Sequence, residues 1–128
     1  GGLSVIGDVY KQDVYALSRY INRNGEVIPE NIINKAPSAE LSPGQLDSDR
    51  LPDYAVLDEI LARYIEGCQD INRIIREMPN TDEAIIRKTL KLVNINEYKR
   101  HQAPPILRIS DKAFGMGRRM PIVGKYLA

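Results

Sequence analysis

The chain has 128 residues, 43% of them hydrophobic and 27% charged, the size and composition of one ordinary globular domain. No run of about twenty apolar residues could span a membrane and no signal-peptide pattern opens the chain, so a cytoplasmic location is expected. The net charge of +1 conceals an asymmetry, with 13 acids and 5 bases in residues 26–83 but 10 bases and 2 acids in residues 84–128.

In chain order, Leu3-Ser-Val-Ile-Gly7 is a short apolar run compatible with a buried strand. Asp8 is placed to cap a helix starting near Val9 or Tyr10, with Val14, Leu17 and Ile21 at helical spacing and Asn24-Gly25 as its stop. Lys11 falls in the first turn, the positive end of the helix. It is therefore either solvated or turned to an anion that the same helix end attracts. Pro29 opens a short turn through Glu30 to Ile33.

Lys35 to Asp49 follows, about fifteen residues punctuated by Pro37, Pro43 and Gly44. A connection of this length is a working loop or a linker, and composition alone favours the linker. Beyond it, Asp53 is expected to cap a helix that turns Tyr54, Leu57, Ile60, Leu61, Tyr64 and Ile65 to one face, ending at Gly67. Asp70 caps a second with the stripe Ile71, Ile74, Ile75 and Met78, and Pro79 ends it. Thr81 caps a third, with Ile85, Ile86, Leu90 and Val93 facing inward. Asn96 begins a short helical turn that Ala103-Pro-Pro105 stops. Ile106 to Ser110 is a second strand candidate.

The basic end of the chain suits phosphate-bearing partners, or pairs with the acidic middle. One cysteine, Cys68, and one histidine, His101, allow neither an internal disulfide nor a zinc cluster of several Cys and His ligands. No glycine-rich phosphate loop and no complete catalytic set are present. The polar residues open to chemistry are Lys11, Lys35, Ser38, Glu40, Asp47, Asp49, Lys99, Arg100, His101, Arg118 and Arg119.

Five separated runs carry a resemblance: Gly-Gly-Leu-Ser-Val-Ile-Gly-Asp-Val-Tyr-Lys at 1–11, Lys-Ala-Pro-Ser-Ala-Glu-Leu at 35–41, Leu-Pro-Asp-Tyr at 51–54, Asn-Glu-Tyr-Lys-Arg-His-Gln-Ala-Pro-Pro at 96–105 and Ala-Phe-Gly-Met-Gly-Arg-Arg-Met-Pro at 113–121. Together they resemble the carboxy-terminal half of NAD synthetase, and the tail after Pro105 is closer to the glutamine-dependent branch. The resemblance implies a mostly helical fragment, four to five helices and one or two short strands, of an α/β Rossmann-like adenine-nucleotide α-hydrolase (ATP pyrophosphatase) fold. It implies amidation of deamido-NAD to NAD with ATP, through an adenylated carboxylate, and with ammonia drawn from glutamine.

Position by position, the resemblance makes Lys11 and Ser38 contacts to ATP, and Tyr98 and Lys99 contacts to deamido-NAD. Lys35, Glu40, Asp47 and Asp49 fall in a mobile lid over the ATP side of the site, expected to be mobile or misplaced in this fragment. The family's Ser-Gly-Gly-x-Asp-Ser pyrophosphate loop, its Mg2+-binding acid and its glutamine-hydrolysing Glu-Lys-Cys set are all expected upstream of Gly1. Residues 1–128 are thus read as the carboxy-terminal part of the ligase domain. The chain alone is expected to make no NAD, and the whole enzyme to be a homodimer or larger. The alternative is a non-enzymatic module in which residues 81–102 form a helix-turn-helix-like pair and the basic tail tracks nucleic-acid phosphates.

Overall fold

The computed structural model describes residues 2–38, 43–47, 51–112, 117–121 and 124. Among them lie six α-helices: α1 Lys11–Ile21, α2 Glu30–Asn34, α3 Tyr54–Leu61, α4 Ile71–Glu77, α5 Glu83–Ile95 and α6 Glu97–Gln102. α3 runs on into a π-helical turn, Ala62–Glu66, closed by a bond from Gly67 N to the Ala62 carbonyl at 3.0 Å.

Three of the helices start on aspartates that satisfy otherwise unpaired backbone amides. Asp53 accepts from Ala55 N at 2.7 Å, Asp70 from Asn72 N and Arg73 N at 2.9 and 3.1 Å, and Asp82 from Ala84 N at 2.8 Å. The cap of α5 is thus Asp82 and not Thr81. Thr81 N is taken up by the Met78 carbonyl in the preceding turn, at 3.0 Å.

The core follows the apolar stripes. Ile60 from α3, Ile74 from α4, Ile86 and Leu90 from α5, and Met78 form one buried cluster, with Val56, Tyr64, Ile71, Ile75 and Ile85 packed against it. α1 lies on α3 but buries none of its residues fully, leaving Leu17, Tyr20 and Ile21 exposed. Its C-terminal turn is organised by the Asn22 amide, which donates to the Ile28 carbonyl at 2.7 Å and accepts from Val27 N and Ile28 N at 3.0 and 2.9 Å.

The two strand candidates contract to a single parallel bridge between Ser4 and Ile106. The first run turns at once, with Gly7 N bonded to the Ser4 carbonyl at 3.2 Å and Val9 N to Ile6 at 3.2 Å. The second is entered through Pro104 and Pro105, which have no N–H to give a ladder. Ile106 packs so closely on Gly7 that a Cβ there would stand 2.5 Å from Ile106 Cγ2.

Asp8 takes up the tail instead of capping α1. Its carboxylate accepts from Ile109 N at 2.8 Å, Ser110 N at 2.7 Å and the Ser110 hydroxyl at 3.0 Å. The N-terminus of α1 is capped from α3, where the Asp58 carboxylate accepts Gln12 N at 2.9 Å. Asp8→Ala is expected to weaken the tail contact by about 1.5 to 3 kcal/mol, a range that fits bonds to a charged acceptor. Amide exchange at Ile109 and Ser110 should then quicken about 10- to 100-fold, while amides of α5 keep their protection.

Candidate functional site

The start of α1 separates two groups of side chains. On one side the Lys11 ammonium lies 5.3 Å from the centroid of the Tyr15 ring and 5.8 Å from that of Tyr54, a cation held beside two aromatic faces. Lys11 is part-buried there and so is not freely solvated. The Tyr54 hydroxyl donates to Asp47 at 2.6 Å, and Asp47 N donates to the Pro37 carbonyl at 3.0 Å. The Ser38 hydroxyl donates to the Gln45 carbonyl across the same loop. Lys11 and the described ends of the Lys35–Asp49 loop are thereby joined through Tyr54. Lys35 is exposed at the end of α2, and Glu40 and Asp49 lie outside the described residues.

On the other side is a cavity of about 360 Å³, a size suited to a small ligand. Leu61, Ile65 and Val93 form its apolar wall, while Asp8, Glu66, Glu97, Lys99, Arg100, Lys112 and Arg118 bring charge to it. Tyr10, next to Lys11, lines it too. Burial and then a hydrogen bond to Glu66 hold the Tyr10 phenol well above its ordinary pKa, so it stays protonated. Lys112 donates to the thiol of Cys68, which is exposed and has a left-handed backbone with φ of 49°.

Lys99 lines this cavity, and Tyr98 beside it is exposed. Both sit on α6, whose inner face carries Glu97 and Arg100, both buried. Glu97 Oε1 accepts from Arg100 Nε at 2.8 Å, Arg118 Nε lies 3.4 Å from Glu97 Oε2, and His101 Nε2 lies 3.6 Å from Oε1. Arg118 also donates to Asn94 Oδ1 at 3.0 Å and stacks 5.0 Å from the centroid of the Tyr64 ring. Arg119 is exposed.

Glu97 and Asn94 were not among the residues singled out from the sequence. The one available signal was the opposite charge of Glu97 and Arg100 three residues apart on a helix, a spacing that marks a pair but not its burial. Among the described residues no group of three or more His, Cys, Asp and Glu comes together to hold a metal ion. No helix among them is long and apolar enough to cross a membrane.

The helix-turn-helix alternative does not fit the geometry. Asn96 alone separates α5 from α6, and α6 stops after six residues. The guanidiniums of Arg100 and Arg118 face the buried Glu97 instead of an external phosphate backbone.

Burial, and then the hydrogen bond to Asp47, push the Tyr54 phenol up to about 12 from an ordinary 10.0. Because the folded value exceeds the unfolded one, this contact stabilises the loop fully below pH 10 and is lost as pH rises through about 12. Tyr54→Phe is expected to remove one late-titrating phenol from the tyrosinate absorbance curve, leaving the earlier part of the curve in place.

The sequence profile of the NAD synthase family matches residues 1–103. The glutamine-dependent NAD(+) synthetase of Synechocystis is 47% identical over 122 residues, covering 95% of this chain and 22% of that protein. That of Thermotoga maritima is 47% identical over 128 residues, covering 98% of this chain and 22% of its own. Among solved structures, the glutamine-dependent NAD+ synthetase of Acinetobacter baumannii in complex with adenosine diphosphate aligns with a TM-score of 0.56 at 37% identity, covering 93% of this chain and 20% of that one. The chain therefore spans about a fifth of the length of the relatives it matches. With residues 1–103 matched by the family's profile, the chain belongs to the NAD synthase family.

Proposed function

We propose that these residues are the carboxy-terminal part of the ligase domain of a cytoplasmic, glutamine-dependent NAD synthetase. The reaction is ATP-dependent amidation of deamido-NAD. The nicotinic acid carboxylate attacks the α-phosphate of ATP and releases pyrophosphate, and ammonia from glutamine then displaces AMP to leave the amide of NAD. A carboxylate oxygen is a poor leaving group, and adenylation converts it into a good one. The Rossmann-like sheet, the pyrophosphate loop, the Mg2+ ligands and the glutamine-hydrolysing site belong to residues outside this chain. The enzyme works as a homodimer or larger assembly.

The observation that carries the reading is the placement of Lys11 beside Tyr54, which is bonded to the loop, and of Lys99 at the cavity. In this reading Lys11 offers a positive charge to the ATP phosphates, with Ser38 and the loop closing above it. Such a preplaced cation offsets negative charge that grows on the leaving phosphates without reorganising water. Lys99 and Tyr98 meet deamido-NAD at the cavity mouth, where an apolar wall beside fixed charges orients a flat aromatic carboxylate. The ADP complex of the Acinetobacter relative supports a nucleotide on this fold.

In the full-length polypeptide that carries these residues, Lys99→Ala is expected to raise the KM for deamido-NAD by about tenfold or more, with a smaller change in the KM for ATP. Steady-state kinetics with each substrate varied in turn read this, and an unchanged KM for deamido-NAD would remove Lys99 from the site.

A further inference from the structure

We infer that Arg118 is a positioning residue for the dinucleotide site, acting through buried Glu97 to fix the short helix that presents Tyr98 and Lys99. The inference rests on the reading of Lys99 given above and adds to it a residue to which no role is assigned by the family resemblance.

Helix α6 has six residues, and Asn96 at its start makes no side-chain cap bond. A helix of that length has little stability of its own, so packing must set its orientation. Glu97 and Arg100 supply that packing, since both are buried and stand three apart on one face. Tyr98 and Lys99, between them in sequence, are exposed, and Lys99 lines the cavity, as Glu97, Arg100 and Arg118 also do.

The Glu97–Arg100 pair lies within α6, and Glu97 is also met from outside the helix. Arg118 makes the connection. Its side chain is 9% exposed and that of Glu97 4%, with Arg118 Nε 3.4 Å from Glu97 Oε2. The other arm of the fork donates to Asn94 Oδ1 near the end of α5, and the Tyr64 hydroxyl reaches the same oxygen at 3.2 Å. The guanidinium plane meets the Tyr64 ring on the π-helical turn. One side chain from the tail thus fixes α6 relative to α5 and the end of α3. The guanidinium donates one hydrogen bond to Asn94, is held to Glu97 by charge through a buried Nε that makes no hydrogen bond, and stacks on a ring, a combination that a lysine ammonium, a point charge without that fork, does not reproduce.

The test uses the full-length polypeptide, with deamido-NAD, ATP and glutamine varied separately. Arg118→Ala is expected to raise the KM for deamido-NAD about tenfold while the KM for ATP and kcat change less than about twofold. Added to Lys99→Ala, it should produce little further change, because both substitutions disable one contact. Arg118→Lys keeps the charge without the fork and should give a rise of about threefold. That variant carries the measurement if the alanine variant does not fold.

Multiplying effects of the Arg118 and Lys99 substitutions would overturn the inference, since Arg118 would then meet the ligand independently. An equal rise in the KM for ATP would overturn it as a general loss of structure. A raised KM in Lys99→Ala beside unchanged values in both Arg118 variants would remove the inference alone. An unchanged KM in Lys99→Ala would sink the reading of Lys99 and the inference together.

Discussion

A carboxylate whose side chain is 4% exposed has to be answered by positive charge, and the region around α6 is arranged to answer Glu97. Taking a carboxylate out of water costs several kcal/mol, which opposite charges offset only when geometry and hydrogen bonding are good. Arg100 is supplied by the same helix, three residues on, and so follows automatically once the helix forms. Arg118 comes from the tail, more than a helix length away in sequence, and brings Asn94 and Tyr64 into the same network. The charge asymmetry of the chain is resolved here in part, with basic residues near the carboxy-terminal end turned inward on an acid. A surface of phosphate-tracking cations would have left them exposed.

The start of α1 is the second constraint. Its free amides point at Asp58, whose carboxyl is raised by burial and partly lowered again by the bonds it accepts from Gln12 N and Lys11 N. A fixed carboxylate from α3 thereby holds the end of α1 in place, and the two residues at that end point to different chemistry. Tyr10 faces the cavity as a protonated phenol. Lys11 faces two tyrosine rings, one of which is tied through Asp47 to the loop. A change in the angle between α1 and α3 would move both groups at once.

Much of the helical framework was legible in the sequence because its determinants are local. Asp53 and Asp70 are caps that act two and three residues ahead, and Ile60, Ile74, Ile86 and Leu90 lie at spacings set by 3.6 residues per turn. Thr81 and Asp82 were not separable on that basis, since both residue types cap and the deciding bond is made by the turn from Met78. Asp8 was misread because a carboxylate before a helix has an obvious local use, whereas its actual partners stand 101 and 102 residues away. The second strand candidate failed for a related reason, as Ile109 N and Ser110 N, which a ladder would use, donate to the distant Asp8 carboxylate. In the candidate site, Lys11 and Lys99 were found through resemblance. The burial of Glu97 and its union with Arg118 depend on tertiary packing, which composition and periodicity do not encode. The exposed stripe of Leu17, Tyr20 and Ile21 on α1 accords with a chain about a fifth as long as its relatives.

The Asp8 to Ser110 contact has a consequence in time. Its partners are separated by 102 residues, so the loop it closes contains nearly the whole helical framework. Closing so long a loop before the helices have packed carries an entropy cost that one carboxylate does not offset. During synthesis the amino-terminal side emerges first, and α1, α3, α4 and α5 are available to pack before residue 110 leaves the ribosome. The cavity wall formed by Ser110, Lys112 and Arg118 is therefore added last. A nascent chain has its core before it has its pocket, and a ligand that needs the closed pocket meets only finished molecules.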